Sequence, residues 1–350
     1  MSHAEDMAHC REAIKHGSKS FYAASRLLPA KVRDPALALY AFCRMADDAV
    51  DLVDAKAAAV ASLRERLDRA YAGNPRNDPV ERAFTAMVED VDMPRALPEA
   101  LIEGLDWDAQ ERRYQTLSDV RSYSARVASA VGAMMSVLMR VRDRDALARA
   151  CDLGVAMQLT NIARDVGKDA EANRLYLPLD WFTEFEIEPE AFLANPEPTR
   201  EIQRMTKRLL AEANRLYYRA DAGIVTLPRN CRPGIHAARH IYAGIGGRIR
   251  AAGFDSVTQR ARTGLGEKLA LIALSLGNTA VGCVMPRSAV LYAKALPETT
   301  FLVDAAARSQ PQAWSDQTVG TLVNVFSRLK ERDQAMTGRF RHVGQQDASS

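Results

Sequence analysis

Two pairs of aspartates, Asp165 and Asp169 in NIARDVGKD and Asp47 and Asp51 in CRMADDAVD, carry the clearest chemistry in this 350-residue chain. On a helix, a spacing of four residues puts both carboxylates on one face. In the stretch 152–169, Asn161 falls one turn before Asp165 and Gln158 three residues before Asn161, which makes a polar stripe. Leu153, Val155, Ala156, Leu159, Ile162 and Ala163 are apolar or small. The pattern predicts a helix inside the protein with its polar face toward a cavity. A single D-x-x-x-D is most often a solvated helix face. Two of them on apolar helices, with Arg44 and Arg164 beside them, are a different matter. Carboxylates gathered around a cavity repel and take up protons unless cations neutralise them. A hard divalent cation such as Mg2+, sharing oxygen ligands with substrate phosphates while arginines and lysines clamp the other phosphate oxygens, satisfies that set.

These stripes need helices to hold them. The first helical run spans Cys10 to Leu28, with Gly17-Ser18-Lys19-Ser20-Phe21 setting small polar and basic groups beside an aromatic ring, and Pro29 ends it. Asp34-Pro35 reads as the N-cap and first-turn proline of the next helix, on which Leu37, Tyr40, Arg44, Asp47 and Asp51 share a side. Further helices are expected at about 79–90, about 98–114, from Ser118, and at about 199–226 and 233–252. Arg260 to Val284 is read as helical too. Its part from Leu269 to Pro286 has no charge and approaches the length of a membrane span, yet Ser275, Gly277, Asn278, Thr279 and Gly282 favour a buried helix. No strand alternation or repeat stands out, so the fold class is all-α. The organisation is a flexible end over 1–9, one helical domain over 10–290, and a C-terminal extension over 291–350, partly helical with a polar tail.

Composition narrows the function. With 47% hydrophobic and 26% charged residues the chain can bury a large core, and a net charge of +3 without basic clusters excludes a nucleic-acid footprint. Five cysteines without a C-x-x-C pair argue against a zinc site and a disulfide framework, and fit a reducing cytoplasm. The opening MSHAEDMAHC is not a secretory signal.

At HGSKSFYAASRLLP, LYAFCRMADDAVD, YSARVASAVGAMM, MQLTNIARDVGKDAEANRLYLP and RHIYAGIGGRIRAAGFDSVTQRA the chain resembles the squalene and phytoene synthase family, the head-to-head trans-prenyltransferases, over roughly residues 10–265. Its HGSKSF, YAFCR and NIARDVG runs are most similar to the bacterial phytoene-forming members. The resemblance implies a terpene-synthase-like helical fold around a central apolar cavity. It implies metal bridging by Asp47, Asp51, Asp165 and Asp169 with Asn161 beside them, and Asp48 as a supporting acid. Ser18, Lys19, Ser20, Phe21, Tyr40, Arg44, Gln158, Arg164, Tyr242 and Arg260 match positions that hold diphosphates or line their pocket. Tyr123, the tyrosine of Y-x-x-x-V-A-x-x-V-G, matches a catalytic position near the reacting carbons and is a candidate proton acceptor, as is released diphosphate. Read without the resemblance, Tyr123 is a core tyrosine. Lys168 departs from a position that is usually acidic.

The activity so implied joins two geranylgeranyl diphosphates through prephytoene diphosphate to phytoene, with Mg2+ (Mn2+ as the alternative) and no NADPH; an ATP requirement is not implied either way. The rivals are a squalene or dehydrosqualene type using farnesyl diphosphate, a chain-elongating prenyltransferase or terpene cyclase, and a non-catalytic assembly factor. The expected location is cytoplasmic or peripheral on the inner membrane, with contact to downstream carotenoid enzymes, although no basic amphipathic anchor is evident. Pocket depth is assigned to Ser25, one turn beyond Phe21, and Leu37, three residues before Tyr40; neither is bulky, which leaves room for a twenty-carbon tail.

Overall fold

The computed structural model describes residues 3–51, 56–281 and 287–308; all their regular structure is helical, and no strand occurs among the described residues. Helix α1 (His3–Gly17) begins seven residues before the expected start at Cys10 because its first turns are anchored. Arg82 donates from Nε and NH2 to Asp6 at 3.0 and 2.6 Å, and Met7 is buried. Ser18 breaks the first run and caps α2 (Lys19–Ser25), its Oγ accepting from the Phe21 N–H at 3.2 Å. Helix α3 (Ala30–Asp51) starts before the expected Asp34-Pro35 signal. The Pro29 carbonyl accepts from the Val32 and Arg33 N–H groups, and Pro35 sits inside the helix, where it has no N–H to donate.

Next come α4 (Lys56–Tyr71), α5 (Pro79–Val91) capped by Asp78, and α6 (Ala96–Ala109). Helix α7 (Leu117–Ser124) opens on a Thr116/Asp119 capping box and passes through a π turn, Ala125–Ser129, into α8 (Ala130–Leu138). Helix α9 (Arg144–Glu171), capped by Asp143, is the longest among the described residues, at 28 residues. The short α10 (Leu179–Glu184) and α11 (Pro189–Ala194) lead to α12 (Arg200–Ile224), α13 (Arg232–Ala251), α14 (Leu265–Val281) and α15 (Thr300–Ala307).

Helix α9 packs against α7, α8, α12, α13 and α15 and separates two apolar cores, one built mainly by α1, α3, α5, α6 and α8, the other by α12, α13 and the far half of α9. Its crossing of the π turn is close because the residues there are small: a Cβ on Gly154 would lie 2.5 Å from Ser129 Cα, and one on Gly132 2.8 Å from the Ala150 carbonyl oxygen.

One boundary and the burial of one helix differ from expectation. The compact unit runs to Arg308 rather than to 290, because the buried Arg149 side chain donates to the carbonyls of Val290, Leu291 and Ala293 at 2.7, 3.2 and 2.9 Å and α15 packs on α8 and α9. The polar tail lies outside the described residues. Helix α14 is not a buried helix. It packs on α13, while Leu269, Leu274 and Leu276 face solvent.

Candidate active site

A cavity of about 370 Å3 runs between the two cores, within the ~300–1,000 Å3 typical of small-molecule pockets. Along α3 its wall is Ala36, Leu39, Tyr40 and Cys43, spaced at three and four residues, and Asp47 follows one turn later. Along α9 it is Ala146, Ala150, Leu153, Met157, Gln158 and Asn161, and then come Asp165 and Asp169. Leu28, Met139, Ile224 and Leu227, which form a third apolar cluster, close the other end. The two acid-bearing ends belong to one mouth. The Phe21 ring lies 6.3 Å from Tyr40 and 5.3 Å from Tyr242, and the field of Arg164 and Asp165 reaches the Tyr242 hydroxyl.

At that mouth Asp47 and Asp165, the first acid of each pair, are tied to arginine. Arg44 Nε donates to Asp48 Oδ2 at 2.9 Å, its NH2 pairs with Asp48 Oδ1, and its NH1 stands 3.5 Å from Asp47 Oδ2. Asp165 receives two guanidinium forks: Arg164 at 2.9 and 2.5 Å, and Arg260 at 2.7 and 3.1 Å. Burial raises the Asp165 pKa, but the two arginines outweigh it and hold the carboxyl below its ordinary range. One turn on, Asp169 has no such fork. Burial, and then the charge of Asp165, push it up to about 7, against the weaker opposing pull of Arg174, Lys168 and Arg164. Lys168 itself is exposed.

Two glycines set this geometry. The Gly167 N–H donates to the Ser256 carbonyl at 2.9 Å, and a Cβ there would stand 2.2 Å from the Val257 oxygen, so only glycine lets the segment carrying Arg260 lie against α9. Gly17 serves Tyr40 in the same way: a Cβ would fall 2.3 Å from the tyrosine hydroxyl.

The structure brings together Phe21, Tyr40, Gln158, Asn161 and Tyr242 on the cavity wall, with Arg44, Asp47, Arg164, Asp165, Asp169 and Arg260 around its mouth. Lys19 is exposed and Ser20 half-buried beside Phe21, while the Ser18 hydroxyl oxygen is engaged in capping α2. The Asp51 side chain lies outside what is described. Ser25 lines the cavity; Leu37 does not, since its neighbours Ala36, Leu39 and Tyr40 take the inward side and Leu37 turns into the first core at 2% exposure.

Tyr123 does not stand on the cavity wall, but Val127, Ala128, Val131 and Gly132 of the same motif do. Its hydroxyl donates to Asp108 Oδ2 at 2.8 Å and that of Tyr176 donates to Oδ1 at 2.7 Å, inside a cluster with Tyr114. Asp108 feels Arg174 and Asp47, which links this cluster to the mouth. Sequence reasoning missed Asp108, Arg174 and Tyr176. The one available signal for Asp108 was an acid at the last turn of an apolar helix, where the helix dipole disfavours it.

The donors suit a hard divalent cation: every one is oxygen, Asn161 Oδ1 is buried without a hydrogen-bond partner, and Asp169 carries excess proton affinity that a cation would relieve. Among the described residues no three acidic, histidine or cysteine groups already converge as a metal centre.

Residues 14–267 match the sequence model described as squalene/phytoene synthase. The chain belongs to the squalene/phytoene synthase family. Within that family it is 57% identical to the phytoene synthase of Rhodobacter capsulatus over 334 residues, covering 95% of this chain and 98% of the relative. It is 55% identical to that of Cereibacter sphaeroides over 342 residues, covering 95% and 96%. A solved dehydrosqualene synthase in complex with ligand superposes with a TM-score of 0.74 at 30% identity, over 80% of this chain and 98% of that one. The fold is thus the isoprenoid-synthase helical fold that the family resemblance implied, within the all-α class read from the sequence pattern.

Proposed function

We infer that the chain joins two geranylgeranyl diphosphates head to head and releases phytoene. The observation that carries the reading is the apolar cavity, closed at one end by the third core and opening at the other beneath two arginine-bound acid clusters. The end-to-end identity to relatives named phytoene synthase supports it over the squalene-type alternative.

The residues follow the chemistry. Arg44, Arg164, Arg260 and Lys19 are the charges available to diphosphate oxygens, and Asp47, Asp165 and Asp169, with Asn161, are the oxygen donors for its divalent cation. When bound, that cation neutralises charge on the departing diphosphate. With no ligand bound, Asp165 offsets one of the two positive charges that Arg164 and Arg260 bring to it. A diphosphate with its cation offers each side a stronger partner, freeing both forks for planar, paired contacts to phosphate oxygens.

The first substrate loses diphosphate to leave an allylic cation. The second substrate's double bond attacks it, and loss of a proton closes a cyclopropane. This prephytoene diphosphate loses its own diphosphate, rearranges and gives up a proton to form phytoene. A carbocation that meets water becomes an alcohol, so the Ala, Leu, Val and Met walls serve by excluding it. The uncharged product suits transfer to a lipid surface and to enzymes that act on long polyenes.

The test is product identification after purified protein is given Mg2+ with geranylgeranyl or farnesyl diphosphate, with and without NADPH. Phytoene from the first substrate, unchanged by NADPH, is expected. A thirty-carbon product alone, or one made richer in hydrogen by NADPH, would move the chain to the squalene branch.

A further inference from the structure

Helix α14 has its polarity reversed. An ordinary surface helix buries its apolar stripe and shows its polar one. Here the polar side chains turn inward. Glu267 accepts from Arg248 Nε at 2.8 Å and Asn278 Nδ2 lies 2.9 Å from His240 Nε2, both partners being on α13. Ser275 is fully buried, its hydroxyl donating to the Leu271 carbonyl at 2.6 Å. The outward side consists of Leu269, Ala270, Ala273, Leu274, Leu276 and Gly277, with the leucines 60%, 50% and 50% exposed. No charged or hydrogen-bonding side chain interrupts that face.

Its composition decides what fits it. Protein partners are usually gripped by tryptophan, tyrosine or arginine anchors, with leucine under-represented; this face has only Leu, Ala and Gly. In sequence the helix is bracketed by exposed cations, Arg250 and Arg262 before it and Arg287 after it, which suit anionic headgroups. Among the described residues no helix is long and apolar enough to cross a membrane. Contact is therefore along the helix rather than through the bilayer. Helix α13, on which α14 lies, lines the cavity with Ile235, Ala238 and Tyr242, so α14 and α13 together stand between the outward leucines and the cavity.

We propose that the outward face of α14 seats the protein on the surface of an anionic lipid bilayer, apolar side down, with α14 and α13 between the lipid and the hydrocarbon cavity. The choice of lipid as occupant rests on the long-chain prenyl reading given above. Vesicles of phosphatidylcholine, with and without phosphatidylglycerol, are floated on a density gradient with the full chain. The parent should rise with the anionic vesicles. Leu269→Glu combined with Leu276→Glu should lower the bound fraction on the order of tenfold or more. Ala273→Trp, which adds an interfacial anchor, should raise it. Because these side chains are exposed, both variants should keep the parental thermal melt and the parental turnover of detergent-dispersed geranylgeranyl diphosphate.

A parent that stays at the bottom of the gradient overturns the proposal, as does a double glutamate variant that floats equally well. So does a parent dimer in light scattering that the double variant turns into monomer without any vesicle binding; that result would assign the face to a second copy. Flotation without phytoene formation would refute the functional reading and leave the lipid surface standing. Phytoene formation without flotation would do the reverse.

Discussion

Tyr123 gives its hydroxyl hydrogen to Asp108 Oδ2 at 2.8 Å, while Tyr176 occupies the other carboxylate oxygen at 2.7 Å. Burial, and then the charge of Asp108, raise the Tyr123 pKa well above its ordinary value, so this residue remains a phenol whose hydrogen is already placed. Its contribution is then through position and through the Asp108 contact. Burial pushes Asp108 up to about 6, against both tyrosine hydrogen bonds. The folded chain thus holds this proton where the unfolded chain, at an ordinary 3.8, has released it. Stability from this group falls as pH rises from about 4 to about 6. Asp108→Asn should flatten that part of the melting-temperature profile and lower kcat on the order of tenfold or more. An unchanged profile and an unchanged kcat would remove Asp108 from the site.

Asp169 should couple cation binding to protons. Without a cation its carboxyl is protonated below about 7, and an oxygen-seeking divalent ion must displace that proton. Binding of Mg2+ with inorganic diphosphate should therefore strengthen as pH rises toward about 7 and level off above it. Calorimetry in buffers of different ionisation enthalpy should register proton release below that pH. Asp169→Asn should abolish the release; if release persists in that variant, the proton comes from another group.

Pocket depth divides between the two residues first assigned to it. Ser25 is on the cavity wall, so Ser25→Phe should fill the space and reduce phytoene relative to thirty-carbon product from farnesyl diphosphate. Leu37 is packed in the core, so Leu37→Trp should cost about 1–3 kcal/mol of stability through overpacking and leave product length alone. Product profiles and melting curves of the two single variants separate these outcomes, and a Leu37→Trp enzyme of parental stability with shortened products would reverse the assignment.

Gly167→Ala should act at a distance. Its methyl group would meet the Val257 carbonyl at 2.2 Å and push away the segment that brings Arg260 to Asp165. KM for the diphosphate substrate should rise roughly tenfold to a hundredfold, the scale of a lost charge-assisted contact of about 1.5–3 kcal/mol. Parental KM in a folded Gly167→Ala chain would show that Arg260 reaches its place without this contact.

The helices and the mouth of the cavity were legible in the chain because both depend on local spacing. Asp165 follows Asn161 by one turn whatever the surroundings, and the steps from Ala36 to Cys43 already trace a wall. What depended on distant partners was not legible. Asp108 became part of the site only when Tyr123 and Tyr176 arrived from two other segments. Leu37 and Ala36 are adjacent in sequence, and only the angle at which α3 lies decides which of them faces the cavity. The inverted α14 misled for a related reason: its serine, asparagine and threonine argued for a buried helix over a membrane span, and only the α13 partners of Asn278 and Glu267 show that the polar side is the inner one.

The last turn of α9 places a carboxylate at the negative end of the helix dipole, against the arrangement that helices ordinarily favour. With its neighbouring acid one turn away, Asp169 opposes the folding of the empty chain. A neutral Asp169→Asn side chain should therefore melt at a higher temperature than the parent when no divalent ion is present, and lose that advantage once Mg2+ and diphosphate are added. Selection for stability alone would erase this aspartate. On the proposed reading, its presence marks a position where the chain gives up stability for function, and where the substrate complex would complete the charge balance of the fold.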